Sequence, residues 1–252
     1  MAATADDTAQ HTHASPPHRG RRRLGPVAMV ISFFGEMLIT AGVLLGLFVV
    51  YSLWWTNVVA DRAADRQADK VRDSWAHESD GGERDAPAAY DSKNGIGFLH
   101  VPTMSDDDIL VEKGTSMKVL NDGVAGYYTD PVKATLPTSG KKGNFALAAH
   151  RDGHGAKFHG IHQIEKGDPI VFETKDTWFV YKVFGILPET SKFNVGVLAK
   201  VPEESGREKA GHYITLTTCT PIYTSKYRYI VWGELVRTEK VDDDRTPPEE
   251  LR

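Results

Sequence analysis

The single cysteine of the chain, Cys219, follows the strand-like run "HYITLTT", and Arg228 comes nine residues after it. One cysteine excludes an intramolecular disulfide, so the thiol is an inert core residue, an intermolecular link or a nucleophile. Unpaired cysteine is often buried, which favours the inert core residue when nothing else is considered. A nucleophile at the end of a strand, however, is both held rigidly and exposed, which suits attack on an acyl group.

An acyl transfer also needs a proton donor for the leaving amine, and His150 ends a second strand-like run, "NFALAAH". Four histidines are close together here and make a metal site the alternative interpretation: His150, His154, His159 and His162. Glycines interrupt this segment and argue against a helix that would align two ligands, so we predict no metal and no other cofactor. The other three histidines are then solvated loop or helix-start residues. The acidic group "SDDD" at 105–108 is interpreted as a solvated turn rather than a cation site.

Arg228 has two interpretations. The first is a surface arginine on a strand, which is its commonest role. The second is a fixed cation that stabilises a developing oxyanion or orients the substrate backbone. Spacing alone does not decide between them, but a cysteine and a histidine that each end a strand, together with a nearby strand arginine, are a narrow coincidence.

The bulk composition does not indicate a nucleic-acid partner, but it does indicate a membrane segment. With 25% charged residues and a net charge of -4, the 252-residue chain gives no reason to expect nucleic acid. Arginines crowd positions 19–23, and the stretch Met37–Trp55 contains 19 residues without a charge, close to the ~20 that a helix needs to cross a bilayer.

The alternative for this stretch is a cleaved signal peptide, with "VVA" at 58–60 as the cleavage site. The apolar run is longer than the roughly 7–15 residues of a signal core, so we favour an uncleaved anchor. The arginine cluster places the N-terminus in the cytoplasm and the long C-terminal part outside the cell.

The rest of the chain divides by composition. We predict a disordered cytoplasmic tail (1–24), a transmembrane anchor (25–56), a charged helical or flexible linker (57–93), a catalytic domain (94–240) and a polar tail (241–252). The segment 94–240 contains short apolar runs separated by glycine, proline, aspartate and asparagine, and in several runs apolar and polar residues alternate with period two. This pattern predicts many short strands in a sandwich or barrel.

The motif "TLTTC" with an arginine nine residues later, and "NFALAAHR" upstream, resembles the sortases over residues 94–238. The membrane segment "GEMLITAGVLLGLFVVYSLWWTN" resembles that of class E sortases from high-GC Gram-positive bacteria. The resemblance implies an all-β fold, an eight-stranded barrel with short helices. It also implies a membrane-anchored cysteine transpeptidase that cuts a sorting signal between Thr and Gly and joins the Thr to an amine of a cell-wall precursor.

Carried onto this chain, the resemblance makes Cys219 the nucleophile, His150 the general acid and base, and Arg228 the oxyanion or substrate-positioning residue. Thr218, or the backbone N–H after the cysteine, would assist. Class E similarity further implies an LAxTG-type signal on the substrate surface proteins. Tyr127 in "GVAGYY" corresponds to the tyrosine of a "GVGHY" motif that is thought to line the pocket for that signal.

Other families fit less well. L,D-transpeptidases carry an arginine two residues after the cysteine, where this chain has Pro221, and papain-like proteases carry their cysteine near the start of the domain. The alternative that is not an enzyme is a membrane-anchored extracellular β-barrel binding module with an incidental thiol.

Overall fold

The computed structural model describes residues 25–77 and 95–252, so the predicted tail (1–24) and the part of the predicted linker from 78 to 93 lie outside the described residues. Within these ranges the α-helices are α1 (Pro26–His77) and α2 (Met117–Leu120). The strands are β1 (Gly97–Val101), β2 (Ser105–Lys113), β3 (Ala125–Tyr127), β4 (Gly143–Ala148), β5 (Pro169–Glu173), β6 (Thr177–Ser191), β7 (His212–Thr220) and β8 (Tyr227–Lys240).

The eight strands close into a barrel in the order β1-β2-β3-β4-β7-β8-β6-β5. The pairs β2–β3 and β4–β7 are parallel, and the other neighbours run antiparallel. The predicted all-β, eight-stranded barrel is therefore confirmed. The parallel pair β4–β7 matters most for function, because parallel neighbours end at the same edge of the sheet.

Strand β7 is buried on both faces. Ile214 and Leu216 point into the barrel core, as their period-two spacing predicts. The intervening Thr215 is also fully buried, on the side of β7 where a second apolar cluster contains its strand partner Trp232. Its hydroxyl is satisfied there because it donates to Asn144 Oδ1 at 2.8 Å. A strand packed on both sides is a rigid support for the residue at its end.

Helix α1 is apolar in its first half and charged in its second. It is the one helix among the described residues that is long and apolar enough to cross a membrane, with a mean hydropathy of 2.2 over 18 residues. The described residues before Val50 form one compact unit and those from Val50 onward another. The helix continues to His77 without a break at residue 56, because neither glycine nor proline interrupts that stretch.

The second half of α1 packs on the barrel. Val71 and Trp75 are buried against Phe98 and Leu110, and the rings of Trp75 and Phe98 meet edge to face with centroids 5.5 Å apart. The segment predicted as a charged linker is thus, up to residue 77, a part of the folded domain.

The acidic group predicted to lie in a turn instead begins strand β2, so that prediction was wrong. Asp107 pairs with Lys157 at 3.0 Å, and Asp108 pairs with Arg72 at 2.6 Å and with His100 at 3.0 Å. Asp107 and Asp108 thus pair with cations from other elements, and Asp106 between Ser105 and these two is exposed.

Candidate active site

The strand register brings the three predicted catalytic residues to one edge of the barrel. The last pair of the parallel β4–β7 ladder is Ala148 with Thr217, and His150 and Cys219 each lie two residues beyond it. On the other side of β7, Cys219 is directly opposite Arg228 of β8. Residues far apart in sequence are therefore neighbours because three adjacent strands carry them.

Side chains continue the connection between β4 and β7 where the backbone ladder ends. Thr218 Oγ1 donates to the carbonyl oxygen of Ala149 at 2.7 Å. Arg151 Nη1 donates to Thr220 Oγ1 at 2.8 Å and to the carbonyl oxygen of Cys219 at 3.4 Å. The two neighbours of His150 in sequence are thus hydrogen-bonded to residues 218–220. These bonds fix the spacing between His150 and Cys219.

Arg151 was not predicted as a site residue. It is buried, its guanidinium carbon lies 5.5 Å from the ring centroid of Tyr229, and within the part of the chain that the structure describes it makes no ion pair. Its position in "NFALAAHR", directly after the histidine, was the only signal in the sequence. A buried cation without a carboxylate partner costs stability, so the place of Arg151 beside the predicted catalytic residues His150 and Cys219 favours a functional role.

His150 is held by Asn121, the residue that caps the C-terminus of α2. His150 Nε2 lies 2.8 Å from Asn121 Oδ1, and the ring of His154 lies 5.4 Å away, centroid to centroid. Burial, and next the neighbouring His154, lower the pKa of His150 below its usual value, while Asp152 opposes them. Because a carboxamide oxygen only accepts hydrogen bonds, Nε2 carries the hydrogen of this contact, which leaves Nδ1 as the ring nitrogen not engaged by Asn121.

Cys219 and Arg228 present their functional groups at the open edge. The thiol of Cys219 is half-buried at the end of β7. Arg228 Nη1 donates to the carbonyl oxygens of Ser225 and Tyr227, at 3.2 and 3.0 Å. No hydrogen bond of Nη2 or Nε is found among the residues that the structure describes, so these donors are available to a substrate oxygen.

The structure places the two neighbouring tyrosines differently. Tyr127 lies in the core with its ring 6.4 Å from that of Phe145, and only 8% of the residue is exposed. The hydroxyl of Tyr128 lies 3.0 Å from Thr217 Oγ1. Burial raises the pKa of Tyr128, while Arg228 lowers it and Cys219 adds to the rise, so this side chain lies close to two of the three predicted catalytic residues.

Two further histidines of this segment were predicted to be loop or helix-start residues, and of these His162 is exposed. His159 begins a short 3-10 helix, His159–Gln163, and its Nδ1 donates to the carbonyl oxygen of Arg151 at 2.9 Å. Among residues 25–77 and 95–252, no group of three or more potential ligands is arranged to hold a metal ion. That the protein works without a metal stays a prediction.

The comparisons with known proteins agree with this geometry. The sortase domain model matches residues 99–236. The chain is 73% identical to sortase SrtE2 of Streptomyces coelicolor over 254 residues that cover both chains completely. It is 47% identical to sortase SrtE1 of the same organism, over 85% of this chain and 60% of that one.

Solved structures agree as well. The crystal structure of sortase E1 from Streptomyces coelicolor, with a tripeptide in the active site, superposes with a TM-score of 0.59 at 47% identity and covers 63% of this chain and 96% of that one. The structure of sortase E from Streptomyces avermitilis superposes with a TM-score of 0.54 at 35% identity, over 63% of this chain and 97% of that one. With a cysteine, a histidine and an arginine together at the end of an eight-stranded barrel, and with these relatives, the chain belongs to the sortase family of cysteine transpeptidases and resembles its class E members.

Proposed function

We propose that Cys219, His150 and Arg228 carry out the transpeptidation. The observation that supports this assignment is the register that sets Cys219 opposite Arg228 and, across the parallel pair, level with His150. Each residue then has the role that its chemistry suits: a nucleophile, a proton donor and a donor to the oxyanion.

The reaction proceeds in two acyl transfers. The thiolate of Cys219 attacks the carbonyl carbon between Thr and Gly of a sorting signal, forming a C–S bond and a tetrahedral oxyanion next to Arg228. The C–N bond breaks, His150 gives a proton to the leaving amine, and a thioester remains. An amine of a cell-wall precursor then attacks the thioester and loses its proton to His150, the new amide forms, and the thiolate leaves.

We further propose an LAxTG-type signal, with Tyr127 or Tyr128 contributing to the pocket that receives it. Tyr128 is the better placed of the two, because its hydroxyl is bonded to Thr217, two residues before Cys219, whereas Tyr127 faces Phe145 in the core. Helix α1 would anchor the protein in the cell membrane, with its N-terminus in the cytoplasm and the barrel outside, where surface proteins and wall precursors are found.

Mass spectrometry with a sorting peptide tests the assignment. The wild-type chain should gain the mass of the acyl part of the peptide at Cys219, and hydroxylamine should release it. Cys219→Ala loses one small atom, so it should melt within a few degrees of the wild type and form no adduct. Peptide cleavage by a well-folded Cys219→Ala protein would show that Cys219 is not the nucleophile. The thiol would then be incidental, as in the alternative of a β-barrel binding module.

A further inference from the structure

One turn of α1, residues 57–61, contacts the loop that follows His150. We call this segment the docking turn. Asn57 Oδ1 accepts a hydrogen bond from the backbone N–H of Gly155 at 3.2 Å. Asp61 Oδ1 lies 3.1 Å from the ammonium group of Lys157, whose side chain is only 11% exposed. The loop from Gly153 to Lys157 is thus held at two points by side chains of the helix.

The docking turn also packs against the segment that carries Asn121. Ala60 is 2% exposed, and a methyl group added to Gly123 would lie 2.9 Å from the carbonyl oxygen of Ala60. A methyl group added to Gly155 would lie 2.9 Å from Asp61 Oδ1 and 3.3 Å from the α-carbon of Gly123. Helix α1 and the two glycine segments therefore meet with no room for a side chain at either glycine.

Both segments reach His150 on their other side. Asn121, two residues before Gly123, places its side-chain oxygen 2.8 Å from His150 Nε2. His154, one residue before Gly155, places its ring 5.4 Å from the ring of His150. The docking turn does not touch the histidine itself, but it contacts both segments that do.

The loop after His150 has a backbone that needs support. Four consecutive residues have positive φ: Gly153 at 62°, His154 at 47°, Gly155 at 77° and Ala156 at 42°. Glycine tolerates this conformation, whereas histidine and alanine rarely adopt it unless the surroundings hold them there. Within the described residues, the contacts from Asn57 and Asp61 supply part of that support from outside the loop.

We infer that the docking turn is a positioning element of the active site, and that Asn57 and Asp61 are positioning residues that act on His150 through the loop of His154 and the segment of Asn121. The inference rests on the proposed role of His150. On this proposal, residues 57–61 help to position His150, in addition to connecting the apolar part of α1 to the barrel.

Loss of the docking contacts has a defined chemical consequence. When the two segments relax, Asn121 no longer fixes the ring plane of His150, and Nδ1 no longer faces the leaving amine on each encounter. Because the docking turn acts on the proposed proton donor and not on the residues proposed to receive the sorting signal, turnover should fall and KM should change little. The titratable groups that act on His150 are His154 and Asp152 of its own loop, and Lys157, at the end of that loop, pairs with Asp61 and with Asp107 of β2.

The test uses the full chain in phospholipid nanodiscs. The double variant Asn57→Ala/Asp61→Ala removes both contacts, and Asn57→Asp keeps an acceptor for the N–H of Gly155. Asp65→Ala is the matched control, because Asp65 is an exposed acid one turn further along the same helix. The quantities to measure are kcat and KM with a sorting peptide and an amine acceptor, and the titration of His150 by NMR with ¹³C-labelled histidine. The signal of His150 is identified as the one that is missing in His150→Gln.

For the double variant we expect kcat to fall about tenfold with KM within twofold, since small misplacements of a catalytic group have effects of this size. The titration of His150 should move upward in pH as the ring becomes hydrated. Asn57→Asp should keep kcat within about threefold of the wild type, and Asp65→Ala should match the wild type in both measurements.

Two results would overturn the inference: an unchanged kcat and His150 titration in a folded double variant, or an equal loss in Asp65→Ala. Failure of the proposed function has a different signature. His150→Gln would then retain turnover, while the NMR titration would still report whether the docking turn sets the environment of the ring.

Discussion

Replacing Thr218 by valine or by serine separates two roles for the residue that precedes the nucleophile. The family resemblance implies that Thr218, or the backbone N–H after the cysteine, assists the reaction, and the polar group of the Thr218 side chain is its hydroxyl. In the structure that hydroxyl donates to the carbonyl oxygen of Ala149 at 2.7 Å, and Thr218 is only 3% exposed. A hydroxyl has one hydrogen, so it cannot donate to this carbonyl and to a substrate oxyanion at the same time.

The magnitude follows from what valine leaves behind. Thr218→Val keeps the shape but removes the donor, and the carbonyl oxygen of Ala149 lies in a residue that is 4% exposed. An unsatisfied buried acceptor costs about 1–3 kcal/mol of unfolding free energy. For a domain of this size each kcal/mol lowers Tm by roughly 2–4 °C. Thr218→Ser keeps the hydroxyl and loses a methyl group, so it should retain the hydrogen bond at a cost of about 1 kcal/mol.

The assay combines thermal unfolding with the rate of thioester formation for both variants. A positioning role predicts that Thr218→Val loses stability and rate together, because the separation of Cys219 and His150 relaxes, and that Thr218→Ser stays close to the wild type in both. A fall of 10²-fold or more in rate for Thr218→Val at an unchanged Tm would refute the positioning role and support direct assistance to the oxyanion.

Three further variants test the site and its surroundings. Arg228→Lys should lower transpeptidation about 10²–10³-fold with little change in Tm, because an ammonium cannot reproduce the fork of donors; a rate within twofold of the wild type would contradict the assignment. Tyr128→Phe should raise KM for an LAxTG peptide more than for an amine acceptor, whereas an unchanged KM would leave Tyr127 as the candidate. Burial, with Asp122 adding to it, raises the pKa of Glu112 from 4.5 to about 7, so the ionised form opposes folding and stability falls as pH rises through this interval. Glu112→Gln should therefore raise Tm at pH 8 and change it little at pH 4; an equal shift at both would show that its charge is not the cause.

Local pattern and the family resemblance together proposed the three central residues, and the structure brings them to one edge of the barrel. Period-two alternation in "HYITLTTC" and a short apolar run before His150 identify strand ends, and a strand end is a place where a side chain is both fixed and exposed. The number of strands followed from the family resemblance and was confirmed. The pairing of β4 with β7 could not be derived from local pattern, since it joins segments about 70 residues apart.

The supporting residues escaped prediction because their roles are tertiary. Asn121 looks like any asparagine at the end of a turn until the crossing from β2 to β3 brings it to His150. Arg151 looks like a surface arginine until the fold buries it beside Cys219. The segment from residue 57 was predicted to be a charged helical or flexible linker, and nothing in its pattern shows that Asn57 contacts the backbone of Gly155.

The lowered pKa of His150 has opposite effects on the two quantities that determine the rate. With an ordinary pKa of about 6.5, roughly 10% of such histidines would be protonated at pH 7.5, and burial reduces this fraction further. Fewer molecules therefore hold the proton that the leaving amine needs, while each proton is given up more readily because the donor is more acidic. Such an enzyme is expected to turn over slowly in dilute solution. Anchoring by α1 would offset the slowness, because an enzyme and a substrate held in the same membrane meet at a high effective concentration. On this argument the anchor and the docking turn serve one purpose: the first brings the substrate to a small active population, and the second keeps His150 in the orientation that makes each encounter productive.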